Sequence, residues 1–245
     1  MYRPSPKTAA VRLICLTSLT LRSLLESANA QAGPAGRQDV HAGVARLLAW
    51  LRKQRLWNRL SVCERQAMAK PSGAWDEREQ TNASWRAEAA GVLAWSLKLL
   101  GQVPPYDTEF GVPDIWATVP GIGADTKDFI RGATLRPEDE IRDAREMAEA
   151  WVWRVRTTLS QTDSARTGQT SPEKYAQYIQ SAAKRGMEKG WFVAISEDFP
   201  AFRKAYADLS PGEFGRVASI AQERLWALNW LCGPGRSWDH VLLDT

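Results

Sequence analysis

The stretch from Val217 to Leu231 constrains the fold most. Val217, Ile220, Ala221, Leu228 and Leu231 recur at helical spacing, and Trp226 and Trp230 occupy a neighbouring face. A helix that is apolar nearly all round has to be covered on several sides, so it belongs at the centre of a helical packing. Arg224 falls on the buried stripe between Val217 and Leu228. An arginine placed there needs an anion and further acceptors beside it, because an unpaired charge in an apolar interior is strongly unfavourable.

A second stretch offers the partner. In the run from Glu77 to Leu100, one stripe holds Trp85, Glu88, Val92, Trp95 and Leu99, and the adjacent one holds Arg86, Ala89, Leu93, Leu97 and Leu100. Arg86 and Glu88 therefore sit among apolar neighbours, and they are expected to meet Glu223 and Arg224 across a helix interface. Asp239 or Asp244 is expected to fold back nearby, with Trp85 and Trp230 as aromatic walls. The cluster has two readings. It is an ion-pair network that fixes helix register, or it is a polar pocket in which arginine clamps a small anion.

The rest of the chain is punctuated as helices. The expected elements are Lys7 to Ser27, His41 to Trp57, Val62 to Ala69, Glu77 to Leu100, Leu135 to Leu159, Ser171 to Arg185, and the last helix capped by Ser210-Pro211-Gly212-Glu213. Ser61 with Glu64 has the spacing of a capping box, and Pro137 with Glu138, Asp139 and Glu140 opens a helix with acids at the positive end of its dipole. Loops are expected at 31–37, 160–170 and, with its prolines and glycines, 104–133. Trp191 to Ile195 is the single stretch that could pass as a strand, and one strand makes no sheet. The sum is a single all-α domain of six or seven helices over residues 1–245, in which residues 1–36 supply an N-terminal helix and loop.

Composition excludes more than it identifies. Twelve tryptophans in 245 residues fit a helix-packing core better than a ligand platform. A formal charge of +4, with acids and bases interspersed, argues against nucleic acid as the partner, and Arg46, Arg52, Lys53 and Arg55 read as a solvated helix face. Cys15, Cys63 and Cys232 are scattered and show no metal-ligand spacing, so no metal or cofactor is expected, and they suit a reducing compartment. Of the two histidines, His41 and His240, only the second has a carboxylate at helical distance, Asp244, and neither lies in a nucleophile motif. Pro120-Gly121-Ile122-Gly123 lacks both the third glycine and the preceding strand of a dinucleotide fingerprint.

The N-terminus resembles a leader in part. Arg3 and Lys7 precede the apolar run Leu13 to Leu21, and Ala28-Asn29-Ala30 has small residues at cleavage spacing. Thr17, Ser18, Thr20 and Arg22 dilute the run, and no apolar stretch reaches the length of a membrane span. The expectation is a retained helix in a cytoplasmic protein, with export after cleavage as the alternative.

Several motifs together point to a family. Trp85-Arg86-x-Glu88, Leu135-Arg136-Pro137-x-x-Glu140-Ile141, Glu223-Arg224-x-x-Ala227-Leu228-Asn229-Trp230-Leu231 and Trp238-Asp239-x-Val241-x-x-Asp244-Thr245 occur in that order, with Leu56-Trp57 and Ser61-x-x-Glu64 before them. Over residues 40–245 the chain resembles the bacterial family catalogued as domain of unknown function 4272. It departs from that pattern in the segment from Gly186 to Leu209 and at His240. The resemblance implies a helical, cytoplasmic bacterial domain and supplies no catalytic residues. The functional expectation is a non-enzymatic protein that binds another protein, in one version an immunity or accessory protein. The alternative is an enzyme or small-anion binder using the Arg86/Glu88/Glu223/Arg224 cluster.

Overall fold

A computed structural model describes residues 3–167, 172–233 and 237–243. Among these residues there are nine α-helices, seven of them of seven residues or more, and one two-stranded sheet. The helices are α1 (Pro6–Gln31), α2 (Pro34–Lys53), α3 (Val62–Ala69), α4 (Glu77–Ser96), α5 (Val112–Ala117), α6 (Lys127–Gly132), α7 (Glu138–Thr167), α8 (Pro172–Glu188) and α9 (Pro211–Cys232). Strands β1 (Pro200–Ala201) and β2 (Lys204–Ala205) form an antiparallel hairpin. The protein is a single all-α domain with this minor addition.

Local chemistry starts the helices where the sequence places the caps. Ser61 with Glu64, Asp76 with Glu79, and Ser210 with Glu213 all close capping boxes, so each first turn has its free backbone donors satisfied. Several boundaries differ from the sequence expectation. Residues 34–37 are helical, because Pro34 at the first position lacks only an N–H that a first turn leaves unused. Helix α7 runs on to Thr167, through much of the expected 160–170 loop.

The end of α4 is decided by tertiary contact. The helix stops at Ser96 instead of Leu100, with Lys98 in the left-handed region at φ 64°. Arg136 covers this end: its Nε donates to the Trp95 carbonyl at 2.8 Å, and its Nη2 to the carbonyls of Leu100 and Gly101. A guanidinium at a helix C-terminus both fills the free acceptors and opposes the dipole. This explains why Arg136 stands directly before the start of α7.

Trp191 to Ile195 is not a strand; Ile195 makes one isolated bridge to Asp198. The following hairpin turns through Phe202 and Arg203, both left-handed at φ 52° and 60°, as a two-residue hairpin loop requires.

The main helices pack in the order α2, α1, α4, α9, α7, α8, each on the next. The larger core lies between α1, α4, α7 and α9, and a smaller one gathers Ile14, Leu47, Leu51, Leu56 and Met68 between α1, α2 and α3. The all-round apolar α9 is an inner helix of this row, as its composition demands.

Helix α1 is long and apolar enough to cross a membrane, with a mean hydropathy of 1.4 over its most apolar window, which exceeds the sequence expectation. In the fold, 72% of that window is buried. Its polar residues are accommodated there. Thr17, Ser18 and Thr20 donate their hydroxyls to carbonyls one turn back, and Arg22, fully buried, pairs with Glu26 and donates to the carbonyls of Lys70 and Pro71.

Candidate functional site

The four charges singled out on α4 and α9 meet as two pairs. Arg224 Nε donates to Glu88 Oε2 at 2.8 Å, and Arg86 Nη1 donates to Glu223 Oε2 at 3.0 Å. The first pair is sealed, with side-chain exposures of 0% and 2%. The second lies nearer the surface, where Arg86 stacks on the Trp226 ring at 4.9 Å.

Arg224 also organises the irregular segment that follows α4. It donates to the carbonyls of Pro104 (2.6 Å) and Thr108 (2.8 Å), and it lies about equally close to the rings of Tyr106 (4.9 Å) and Phe110 (5.0 Å). The Phe110 N–H donates to Glu88 Oε1 at 2.8 Å. Burial pushes the Glu88 carboxyl above its ordinary value, and the Arg224 charge and the Phe110 N–H offset this only in part. Burial likewise raises Glu223, against the pull of Arg86. The Arg224 Nη donors and the Glu88 Oε1 acceptor dock residues 104–110, and Glu88 and Arg224 are almost fully buried. The cluster is thus two ion pairs that link α4 to α9.

The remaining predicted residues separate. Trp85 is half-buried against the core. Trp230 and Asp239 line a different feature, a cleft of about 590 Å³ between the start of α1, the start of α3 and the short 3-10 turn Trp238–His240. Asp244 lies outside the described residues.

The wall of this cleft includes Lys7 and Arg12 from α1, Arg59, Ser61, Val62 and Arg65 from around α3, Trp230 from α9, and Trp238, Asp239 and His240 from the turn. Trp226 Nε1 donates to the Trp238 carbonyl at 3.1 Å, and Asn229 Nδ2 to that of Leu242 at 2.8 Å, so α9 pins the turn in place. Trp230 and Trp238 meet edge to face at 5.5 Å.

Charges in the cleft divide into engaged and free. Asp239 accepts from the Cys63 N–H at 3.1 Å. Burial works against its ionised form, but hydrogen bonds from the Ser61 hydroxyl and the N–H groups of Cys63 and Val62 prevail and hold the carboxyl below its usual range. The carboxylate is thus committed to the N-terminus of α3. Arg12, 5% exposed, donates to Glu64 Oε2 at 2.6 Å and covers the Trp238 ring at 5.2 Å. Beneath it, burial raises the Cys15 thiol to about 11, which keeps it a protonated core residue. Lys7, Arg59 and Arg65 have no side-chain partner among the described residues.

The His240–Asp244 pair considered from sequence lies outside the described residues, since Asp244 does. His240 Nδ1 meets Ser237 Oγ at 2.6 Å, three residues back, a local contact across the turn with no described group on Nε2. Among the described residues no cluster of three or more His, Cys, Asp or Glu side chains could hold a metal.

Sequence reasoning missed Arg12 with Glu64, Arg22 with Glu26, and Arg154 with Asp198, all buried pairs. The rule that singled out Arg224 also applies to Arg12 and Arg22, which stand on the apolar face of α1.

The family described as "Domain of unknown function (DUF4272)" matches residues 3–172. The chain belongs to this family. The matched span takes in α1 and the cations of the cleft, together with the Arg86 and Glu88 half of the buried network; the Glu223 and Arg224 half, the Trp238–His240 turn and Trp230 lie beyond it. No curated protein and no solved structure matches the chain.

Proposed function

We propose that this DUF4272 member is a non-enzymatic interaction protein that holds a partner protein in the cleft between α1, α3 and the Trp238–His240 turn. One observation carries the reading: the charges predicted to form a substrate pocket pair with one another, whereas the cleft presents cations without side-chain partners among the described residues beside apolar wall residues. A volume of about 590 Å³ with a tryptophan wall suits an anchoring side chain and its neighbours. At the cleft, Asp239 is held by the Cys63 N–H at the start of α3 and His240 Nδ1 by the Ser237 hydroxyl, which favours binding over turnover. The burial of α1 across both cores supports a helix retained in the folded protein, and the proposal includes cytoplasmic residence in a bacterium. A protein of this kind suits an immunity or accessory role.

The test is a photo-crosslinking residue at Val62, which lines the cleft and is 57% exposed, compared with one at Tyr178 on the opposite end of the helical row, 58% exposed. A discrete protein adduct in the native host from Val62 alone is expected. Adducts at neither position, or the same adduct at both, would count against the proposal.

A further inference from the structure

We infer that the segment recognised by the cleft is an acidic peptide with an apolar anchor, an inference that rests on the partner-binding reading above. The argument is charge complementarity around a built floor. Lys7, Arg59 and Arg65 reach the rim from three separate places in the chain, and no described side chain neutralises them. Among the described residues of the wall the single carboxylate, Asp239, faces the backbone donors of α3 and so does not answer them. Arg12 is likewise already matched by Glu64. Three unanswered cations above an apolar floor favour a carboxylate-bearing chain, steered by the rim and anchored below.

Nucleic acid fits the same rim less well. Binding of single strands depends on open aromatic faces for stacking. Here the Trp238 ring is 5% exposed, covered on one face by the Arg12 guanidinium and met at its edge by Trp230. The cations Arg46, Arg52 and Lys53 of α2, and Arg55 just beyond it, are not part of the cleft wall, and Arg52 is stacked on Trp57.

The experiment uses the full chain and a fluorescein-labelled peptide of alternating aspartate and leucine, followed by anisotropy. Two control peptides carry asparagine or lysine in place of aspartate, and a labelled single-stranded oligonucleotide serves as a third probe. The aspartate peptide should bind, weaken as salt is raised, and outcompete the controls. Arg59→Glu and Arg65→Glu should each lower its affinity about fivefold, as for rim charges, and the double variant more. Arg59 is exposed and Arg65 half-buried, and neither has a side-chain partner among the described residues, so circular dichroism and thermal unfolding should remain those of the parent. Equal binding of the asparagine peptide, unchanged affinity in the double variant, or tighter binding of the oligonucleotide would overturn the inference. A partner crosslinked from Val62 but not displaced by the aspartate peptide would refute acidic recognition alone. Peptide binding without any crosslinked protein would instead refute the partner-binding reading.

Discussion

Arg224 shows how much one buried charge organises. Replacing it with Met leaves Glu88 unpaired in the interior and frees the carbonyls of Pro104 and Thr108. Loss of one partner of a buried pair costs about 3–5 kcal/mol, and chemical denaturation should show a loss of that size for Arg224→Met. Adding Glu88→Leu removes the orphaned charge, so the double variant should be more stable than Arg224→Met alone, though below the parent because the carbonyls stay free. Gly91 is a second decisive residue. A Cβ there would lie 2.2 Å from Phe110 Cγ, on the segment that Arg224 and Glu88 hold down. Alanine gains up to about 1 kcal/mol in helix propensity. Displacing a ring fixed by its own backbone costs about 1–3 kcal/mol. Gly91→Ala should therefore lower the melting temperature.

At the scale of elements, the capping boxes turn short sequence signals into fixed helix starts. The box at α9 is reinforced by Lys204, which donates to both Glu213 oxygens at 2.9 and 3.0 Å and so ties the β1–β2 hairpin to the last helix. Lys204 first, then the Ser210 backbone and hydroxyl, lower the Glu213 carboxyl from 4.5 to about 2. A folded value below the unfolded one means that the contribution is complete above pH 4.5 and is lost as pH falls toward about 2. Glu213→Gln should thus flatten the fall of stability across that window, measured by denaturation at a series of pH values, while leaving the slope near neutrality unchanged. The capping motifs were legible because they are local. The early stop of α4 was not, since it depends on Arg136 arriving from 36 and 35 residues beyond the carbonyls of Leu100 and Gly101.

In the whole molecule, α1 holds two cores together. Ala9, Leu13 and Leu16 belong to the larger one, and Ile14, Cys15 and Leu19 to the smaller. Removing residues 1–31 would uncover the face of α4 that α1 covers and take away the main helix that α2 packs on. The truncated chain should lose cooperative thermal unfolding, seen as a broad transition by calorimetry and circular dichroism. A sharp transition near that of the parent would show that α1 is dispensable to the fold, as a cleaved leader would be. The cleft depends on the same long-range assembly, because its walls come from α1, the start of α3 and the turn that α9 pins down.

By itself the sequence determined the seven longer helices, most of their starts, and that Arg86 and Glu88 meet Glu223 and Arg224 across a helix interface, because periodicity and capping act over a few residues and a buried charge demands a counter-charge. It also brought Trp230 and Asp239 into view, though in the wrong company. Only the tertiary structure decided that Glu88 and Arg224 are sealed, that Asp239 serves α3, and that Lys7, Arg59 and Arg65 line one cleft with no side-chain partner among the described residues. Those outcomes depend on which surfaces meet across the row of helices. Burial and free charge are properties of that meeting, which no local pattern encodes.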